Sequence, residues 1–327
     1  MERNSPAIAL LLLLQGVLAS GAVEVHPSSN PAVVGENVTL SLSPPTSLSS
    51  GSWSVGNAQI LTWVGNQQAI FSSHTGRASI DIATRALTLS FVTVADSGVY
   101  TVQSASPELK LSTTITVLEP ISNVTLRTNQ TRLVEFKGSI VASCSVLSGS
   151  SLSFLWLNGD SEITANERVH LTDGNSTLTI VNMSRYDQGQ LRCCAFNAIS
   201  NATSDPVNFT VSYGPENMNL TGGGSFATGS NVSMLCLADS SPPARLKWAF
   251  RGELLNTTGA ELNLYNISED QSGVYTCQAF NNETSRSENI TTQVIISKPS
   301  SSASEQAACM WLLPLLSLAG LLFTTPH

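Results

Sequence analysis

The residues with chemistry to offer in this chain are cysteines and asparagines. Of its six cysteines, Cys144, Cys193, Cys194, Cys236 and Cys277 lie between two apolar termini, and Cys309 lies in the second of them. Thirteen asparagines stand in Asn-x-Ser/Thr sequons: Asn37, Asn123, Asn129, Asn175, Asn182, Asn201, Asn208, Asn219, Asn231, Asn256, Asn266, Asn282 and Asn289. Thiols oxidise to disulfides and sequon amides accept N-linked glycans, both in the secretory route. Other chemistry is not spelled out. His26, His74 and His170 have no zinc spacing, and no Gly-x-Ser-x-Gly elbow occurs. Gly222-Gly-Gly224 is followed by no Lys-Ser/Thr and reads as a turn rather than a phosphate cradle. No catalytic, cofactor-binding or metal-binding residue is expected, and the chain is read as a non-enzyme.

The elements that must position these groups are announced by one phrase written three times. It reads Asp96-Ser-Gly98-Val-Tyr100-Thr-Val102, then Asp187-Gln-Gly189-Gln-Leu191-Arg-Cys193, then Ser272-Gly273-Val-Tyr275-Thr-Cys277. This is the approach to strand F of an immunoglobulin sandwich, where the tyrosine hydroxyl anchors the corner and the cysteine crosses to the other sheet. Alternation as in Leu87-Thr-Leu89 and Leu178-Thr-Ile180 reads as strand, and the 327 residues suit three such units. The fold class is therefore all-β, three tandem immunoglobulin-like sandwiches. Cys236, Trp248 and Cys277 supply the strand B, C and F anchors of the third unit, and Cys144, Trp156 and Cys193 those of the second. Each bridge, Cys144 to Cys193 and Cys236 to Cys277, is worth about 3–4 kcal/mol through restriction of the unfolded chain. Cys194 neighbours Cys193 on the same strand and so faces the other way, which leaves it for an intermolecular disulfide or a free thiol.

The first unit differs. Gly35-Glu-Asn37-Val-Thr-Leu-Ser-Leu42 aligns with Gly229-Ser-Asn231-Val-Ser-Met-Leu-Cys236, placing Leu42 and Val102 where the other units carry cysteine. Trp63 is expected on its strand C, with Leu42 and Val102 packed against it. The longer span between the anchors leaves room for the extra edge strands of a variable-type sandwich. Expected boundaries are 1–22 for a secretory signal, 23–118 for the variable-type unit without a disulfide, 119–213 for an I/C2-type unit, 214–297 for a C2-type unit, and 298–327 for a linker and anchor signal. Arg3, an apolar run from Ala7 and the small residues Ala19, Gly21 and Ala22 compose the signal. At the other end, small residues, a short spacer and an apolar tail from Ala307 to Phe323 with no basic residue after it have the layout of a glycosylphosphatidylinositol signal, with attachment at Ser300 or Ser301. A short membrane span is the alternative. The formal charge of −8 and the absence of a basic stripe exclude nucleic acid as a partner.

The order of motifs resembles the carcinoembryonic-antigen-related cell adhesion molecules. The resemblance is carried by the cysteine-free variable-type unit ahead of disulfide-bonded ones, and by Asp173-Gly-Asn175-Ser-Thr-Leu-Thr-Ile180. Ser241-Pro-Pro-Ala-Arg-Leu-Lys-Trp248, the Tyr213-Gly-Pro215 joint and Asn266-Ile-Ser268 add to it. It implies a lipid-anchored glycoprotein on the outer face of the cell membrane, recognising itself or related immunoglobulin-type surface proteins through the exposed face of the first unit. Microbial adhesins are further partners that the resemblance implies. Two departures stand out: the connection from Trp63 to Gln68 is short for the family, and Leu191 replaces the corner tyrosine, which weakens one hydrogen bond.

The sequons fall six in the second unit, six in the third and one, Asn37, in the first. Asn37 is placed on strand B, opposite the sheet of strands C, F and G, so that sheet's outer face is left bare. Residues alternating with the anchors are expected there: Thr62 and Val64 beside Trp63, Gln103 and Ala105 beside Val102, and Gln68 and Ile70 on the neighbouring strand. Of these, the resemblance implies Val64, Gln68, Gln103 and Ala105 as contact positions. Competing readings are an immune ligand or decoy receptor like the SLAM-type lymphocyte proteins, and a passive glycan-bearing coat.

Overall fold

The computed structural model describes residues 22–298. Residues 1–21 of the expected signal, the attachment candidates Ser300 and Ser301, and Cys309 lie outside the described residues. Among the described residues every extended element is a strand, and no helix is long and apolar enough to cross a membrane.

In the first sandwich β1 (Glu24–Pro27), β2 (Ala32–Val33), β3 (Val38–Ser43), β4 (Ser50–Val55), β5 (Ala58–Val64), β6 (Gln67–Ile70), β7 (Ala78–Ile80), β8 (Leu87–Leu89), β9 (Gly98–Ala105), β10 (Glu108–Ile115) and β11 (Val117–Leu118) follow one another. They form one sheet in the order β1-β3-β8-β7 and a second in the order β10-β9-β4-β5-β6, with β2 and β11 paired in parallel. Alternation does what the sequence asks of it: Val38, Leu40 and Leu42 of β3 face inward between outward threonine and serine, and Tyr100 and Val102 of β9 face them from the other sheet.

The tryptophan at the centre is Trp53, not the expected Trp63. Strand β4 pairs with β9 and sets Trp53 opposite Val102, the register that Trp156 has to Cys193 and Trp248 to Cys277. Trp63 lies one strand further out on β5, also buried, with its indole N–H donated to Leu48 O at 3.3 Å. Both indoles alternate correctly with their neighbours, so alternation cannot choose between them. Spacing can: the tryptophan follows the strand B anchor by twelve residues in the other sandwiches, and Trp53 follows Leu42 by eleven. The short connection from Trp63 to Gln68 is thus the β5–β6 hairpin, closed by Gly65 and Asn66 with Gly65 in left-handed backbone (φ 57°).

The second sandwich contains β12 (Thr125–Thr128), β13 (Arg132–Val134), β14 (Ile140–Ser145), β15 (Ser153–Asn158), β16 (Ser161–Glu162), β17 (Val169–Thr172), β18 (Thr177–Ile180), β19 (Gly189–Phe196), β20 (Asn201–Thr203) and the first part of β21 (Val207–Thr221). One sheet runs β12-β14-β18-β17; the other places β16, β15, β19 and β21 side by side, with β20 also against β19 and β13 against β21. The third sandwich has β22 (Gly224–Ala227), β23 (Val232–Ser241), β24 (Arg245–Phe250), β25 (Glu253–Thr258), β26 (Glu261–Leu264), β27 (Gly273–Asn281) and β28 (Arg286–Ser297). Its larger sheet runs β22-β28-β27-β24-β25, while β23 pairs with β26 and with the end of β21. Disulfides join Cys144 to Cys193 and Cys236 to Cys277, with Cα–Cα distances of 6.2 and 6.4 Å.

Candidate recognition face on the first sandwich

The outer face of the β10-β9-β4-β5-β6 sheet is laid out by register. Lys110 pairs with Gln103, Gln103 with Ser52, Ser52 with Thr62, and Thr62 with Ala69, so these five side chains form one row across all five strands. A second row holds Ser112, Thr101 and Ser54, with Thr101 and Ser112 sharing a hydroxyl hydrogen bond of 2.8 Å. Along the opposite margin Glu108 pairs with Ala105, and Val64 with Ser50 and Gln67. Small uncharged side chains dominate, and Val64, 71% exposed, is the largest apolar contribution to that margin.

Thr62, Val64, Gln103 and Ala105 therefore sit on this face. Gln68 and Ile70 do not. The two-residue turn at Gly65-Asn66 pairs Val64 with Gln67, so Gln68 falls in register with Trp63 and Ile70 with Leu61, both of which point to the core. Ile70 packs against that core, and Gln67 and Ala69 take the outward places. The length of the turn fixes this parity, because one residue of slip exchanges the two faces of a strand. Ser52 is absent from the expected set for the same reason as Trp53: no motif on β4 marks it as the strand beside β9.

The face rests on closely fitted elements. A Cβ on Gly51 would lie 2.5 Å from Trp63 Cζ2 and closer still to Gln103 O, so β4 approaches both strands only because residue 51 has no side chain. At the end of the core Arg77 forms a two-pronged pair with Asp96, each N···O distance being 2.8 Å. Those hydrogen bonds, with the Thr93 N–H at 2.7 Å and hydroxyl at 3.0 Å, outweigh burial and hold the Asp96 carboxyl at about 2. Tyr100 donates its hydroxyl to Asp96 O at 2.7 Å, and burial pushes its ionisation up to about 12.

The second and third sandwiches repeat the device with changes. Burial pushes the Asp187 carboxyl up, but hydrogen bonds from Arg168 and Ser184 prevail and the net shift is downward. Tyr275 donates to Gln271 O at 3.0 Å. Where Leu191 replaces tyrosine the expected loss is made good: Asn158, from the adjacent strand, donates to Asp187 O at 2.9 Å. Cys194 is half-buried and unpaired on the outer side of β19, opposite Leu155 and Thr203.

All thirteen sequon asparagines are exposed. Asn201 and Asn208 lie on the outer face of the second sandwich's β16-β15-β19-β21 sheet, opposite Phe196 and Gln190. Asn289 lies on the matching face of the third, opposite Gln278, and Asn256 stands on its edge strand β25. The matching face of the first sandwich carries none, because Asn37 immediately precedes β3 in the other sheet.

Comparison with known proteins agrees with this architecture. Residues 125–211 match the immunoglobulin I-set domain family, and residues 218–281 an immunoglobulin domain family. The cell adhesion molecule CEACAM16 of Rattus norvegicus is 26% identical, over 84% of this chain and 69% of its own length. Among solved structures, murine CEACAM1b is similar with a TM-score of 0.51 at 24% identity, covering 58% of this chain and 100% of that one. A variant of the three-domain titin fragment I67–I69 gives 0.50 at 17% identity, covering 84% and 98%. Residues 125–211 and 218–281 are thus immunoglobulin-type domains, and the chain is similar over most of its length to CEACAM-type cell adhesion molecules.

Proposed function

We propose that the chain acts by contact of the outer β10-β9-β4-β5-β6 face with a second copy or with a related immunoglobulin-type protein. The observation that carries this reading is the distribution of sequons. The corresponding sheets of the other two sandwiches present glycan acceptors outward, at Asn201 and Asn208 and at Asn256 and Asn289, and the first sheet presents none. A face of serine, threonine, glutamine and alanine rows offers hydrogen-bonding groups and little apolar area, which suits weak contacts multiplied over many copies on opposed surfaces.

Gln103 belongs to the longest row and has Lys110 as its neighbour. Sedimentation of residues 22–298 should show a reversible dimer, weakened at least about tenfold by Gln103→Arg, which sets a second positive charge beside the first. A protein that stays monomeric, or a dimer indifferent to that change, removes the homotypic form of the proposal. Lipid attachment at Ser300 or Ser301 belongs to the same reading, and release of the protein from cells by a phosphatidylinositol-specific phospholipase C checks it; retention on the cell counts against it.

A further inference from the structure

Three exposed phenylalanines each adjoin a sequon asparagine. Phe196 is 41% exposed and pairs across β19–β20 with Asn201, so ring and amide stand side by side on the same face. Phe280 is 43% exposed and shares with Asn282 and Ser287 a surface groove of about 470 Å³. Phe91 is 69% exposed, and its backbone N–H is donated to Asn37 Oδ1 at 3.1 Å.

Local folding gives no reason for these rings. Phe91 occupies left-handed backbone (φ 51°), where the corresponding residues of the other sandwiches are Asn182 (φ 50°) and Asn266 (φ 49°), the residue type that tolerates it. Phe196 and Phe280 occupy one shared position, three residues past the strand F cysteine, and each precedes an asparagine that pins the following turn. Asn197 Oδ1 accepts from Ile199 N and Ser200 N, and Asn281 Oδ1 accepts from Glu283 N and Thr284 N. The turns that deliver Asn201 and Asn282 are thus built, not loose. In the first sandwich the same position is Ala105, and its turn carries no sequon.

We propose that Phe91, Phe196 and Phe280 are seats for the first N-acetylglucosamine of glycans carried on Asn37, Asn201 and Asn282. The face of C–H bonds on a pyranose ring packs on an aromatic ring, covering apolar surface that is otherwise left to water. The amide geometry suits attachment. Among the described residues the Nδ2 of these three asparagines donates no hydrogen bond, and the Asn37 contact to Phe91 uses Oδ1, which glycosylation leaves intact. The donor is a lipid-pyrophosphate oligosaccharide. Its C1–O bond breaks, a C1–Nδ2 bond forms, one amide proton is released, and the lipid pyrophosphate leaves.

The test uses the full chain secreted from glycosylating cells, with glycopeptide mass spectrometry reading each site separately. Under native conditions a peptide N-glycosidase should release the glycans of Asn37, Asn201 and Asn282 more slowly than that of Asn208, whose cross-strand neighbour is Gln190. Phe91→Ala, Phe196→Ala and Phe280→Ala should each speed release about fivefold at the matching asparagine alone, and tyrosine at the same position should restore the slow rate. Equal release at all four wild-type sites, vacancy of the three sites in secreted protein, or an alanine effect spread over every site overturns the proposal. If an alanine variant is not secreted, the wild-type comparison and the tyrosine variants decide.

Discussion

Replacing Asp96 by asparagine should reveal how much of the first sandwich hangs on one carboxylate in a unit that has no disulfide. The side chain is 7% exposed; its Oδ2 accepts from one terminal nitrogen of Arg77 and from the N–H and hydroxyl of Thr93, and its Oδ1 from the other terminal nitrogen of Arg77. Moving the carboxyl from 3.8 to about 2 corresponds to about 2 kcal/mol of preference for the folded state. The substituted amide would keep the shape, turn one acceptor into a donor facing Arg77 or Thr93, and leave the guanidinium without its counter-charge. We expect Asp96→Asn to cost about 2–3 kcal/mol at pH 7, which lowers the melting temperature of a sandwich of this size by about 10–15 °C. The sign with pH follows from a depressed folded-state value. The carboxylate's contribution is complete above about pH 5, half gone near pH 3, and nearly all lost as pH falls through about 2. Calorimetry of residues 22–298 from pH 7 to pH 2 should therefore show the gap between wild type and variant closing with acid. A gap of constant size over that range, or a carboxyl titration with its midpoint at the ordinary value near 4, would refute the reasoning.

Two further substitutions probe how the elements are fitted. Gly51→Ala places a methyl group against Trp63 and Gln103 O, and should cost about 2 kcal/mol in thermal or denaturant unfolding while also weakening any contact made through Gln103; an unchanged melting temperature would show that β4 and β5 separate freely. Asn158→Leu strips the donor from Asp187 O and should destabilise the second sandwich by about 1–3 kcal/mol, with part of the loss recovered on adding Leu191→Tyr, as measured by urea unfolding of single and double variants. No recovery would mean that the adjacent-strand donor and the corner hydroxyl are not equivalent.

Much of this architecture is legible in the chain because its anchors are local. The strand F phrase carries the corner residue and the cross-sheet residue on the same few positions, so Tyr100 and Val102, Leu191 and Cys193, and Tyr275 and Cys277 can be read from types and parity alone. What cannot be read locally is which strand lies beside which. Trp53 and Trp63 satisfy the same alternation, and only pairing with β9 separates them. Gln68 and Ile70 sit correctly on a strand but on its inner side, because parity passes from β5 to β6 through the length of a turn. Asn158 takes over a tyrosine's hydrogen bond from a neighbouring strand, a substitution that no motif on β19 records.

The position three residues past the strand F anchor ties these observations together. It points outward in every sandwich, at the mouth of the turn that leads to the next strand, and it is Ala105, Phe196 or Phe280. Where it is phenylalanine, a sequon lies across the strand or two residues on, and the ring gives the sugar a surface to lie on. Where it is alanine, the turn holds no sequon and neither does the row through Ser52, Gln103 and Lys110. If the first face binds a partner and the rings seat glycans as proposed, the residue type at this one position separates the two uses. The exchange should work in one direction only: a ring and sequon grafted at Ala105 should silence the first face, whereas alanine at Phe196 or Phe280 should free a sugar without creating a partner site, since the rows beside them still carry Asn208 and Asn289.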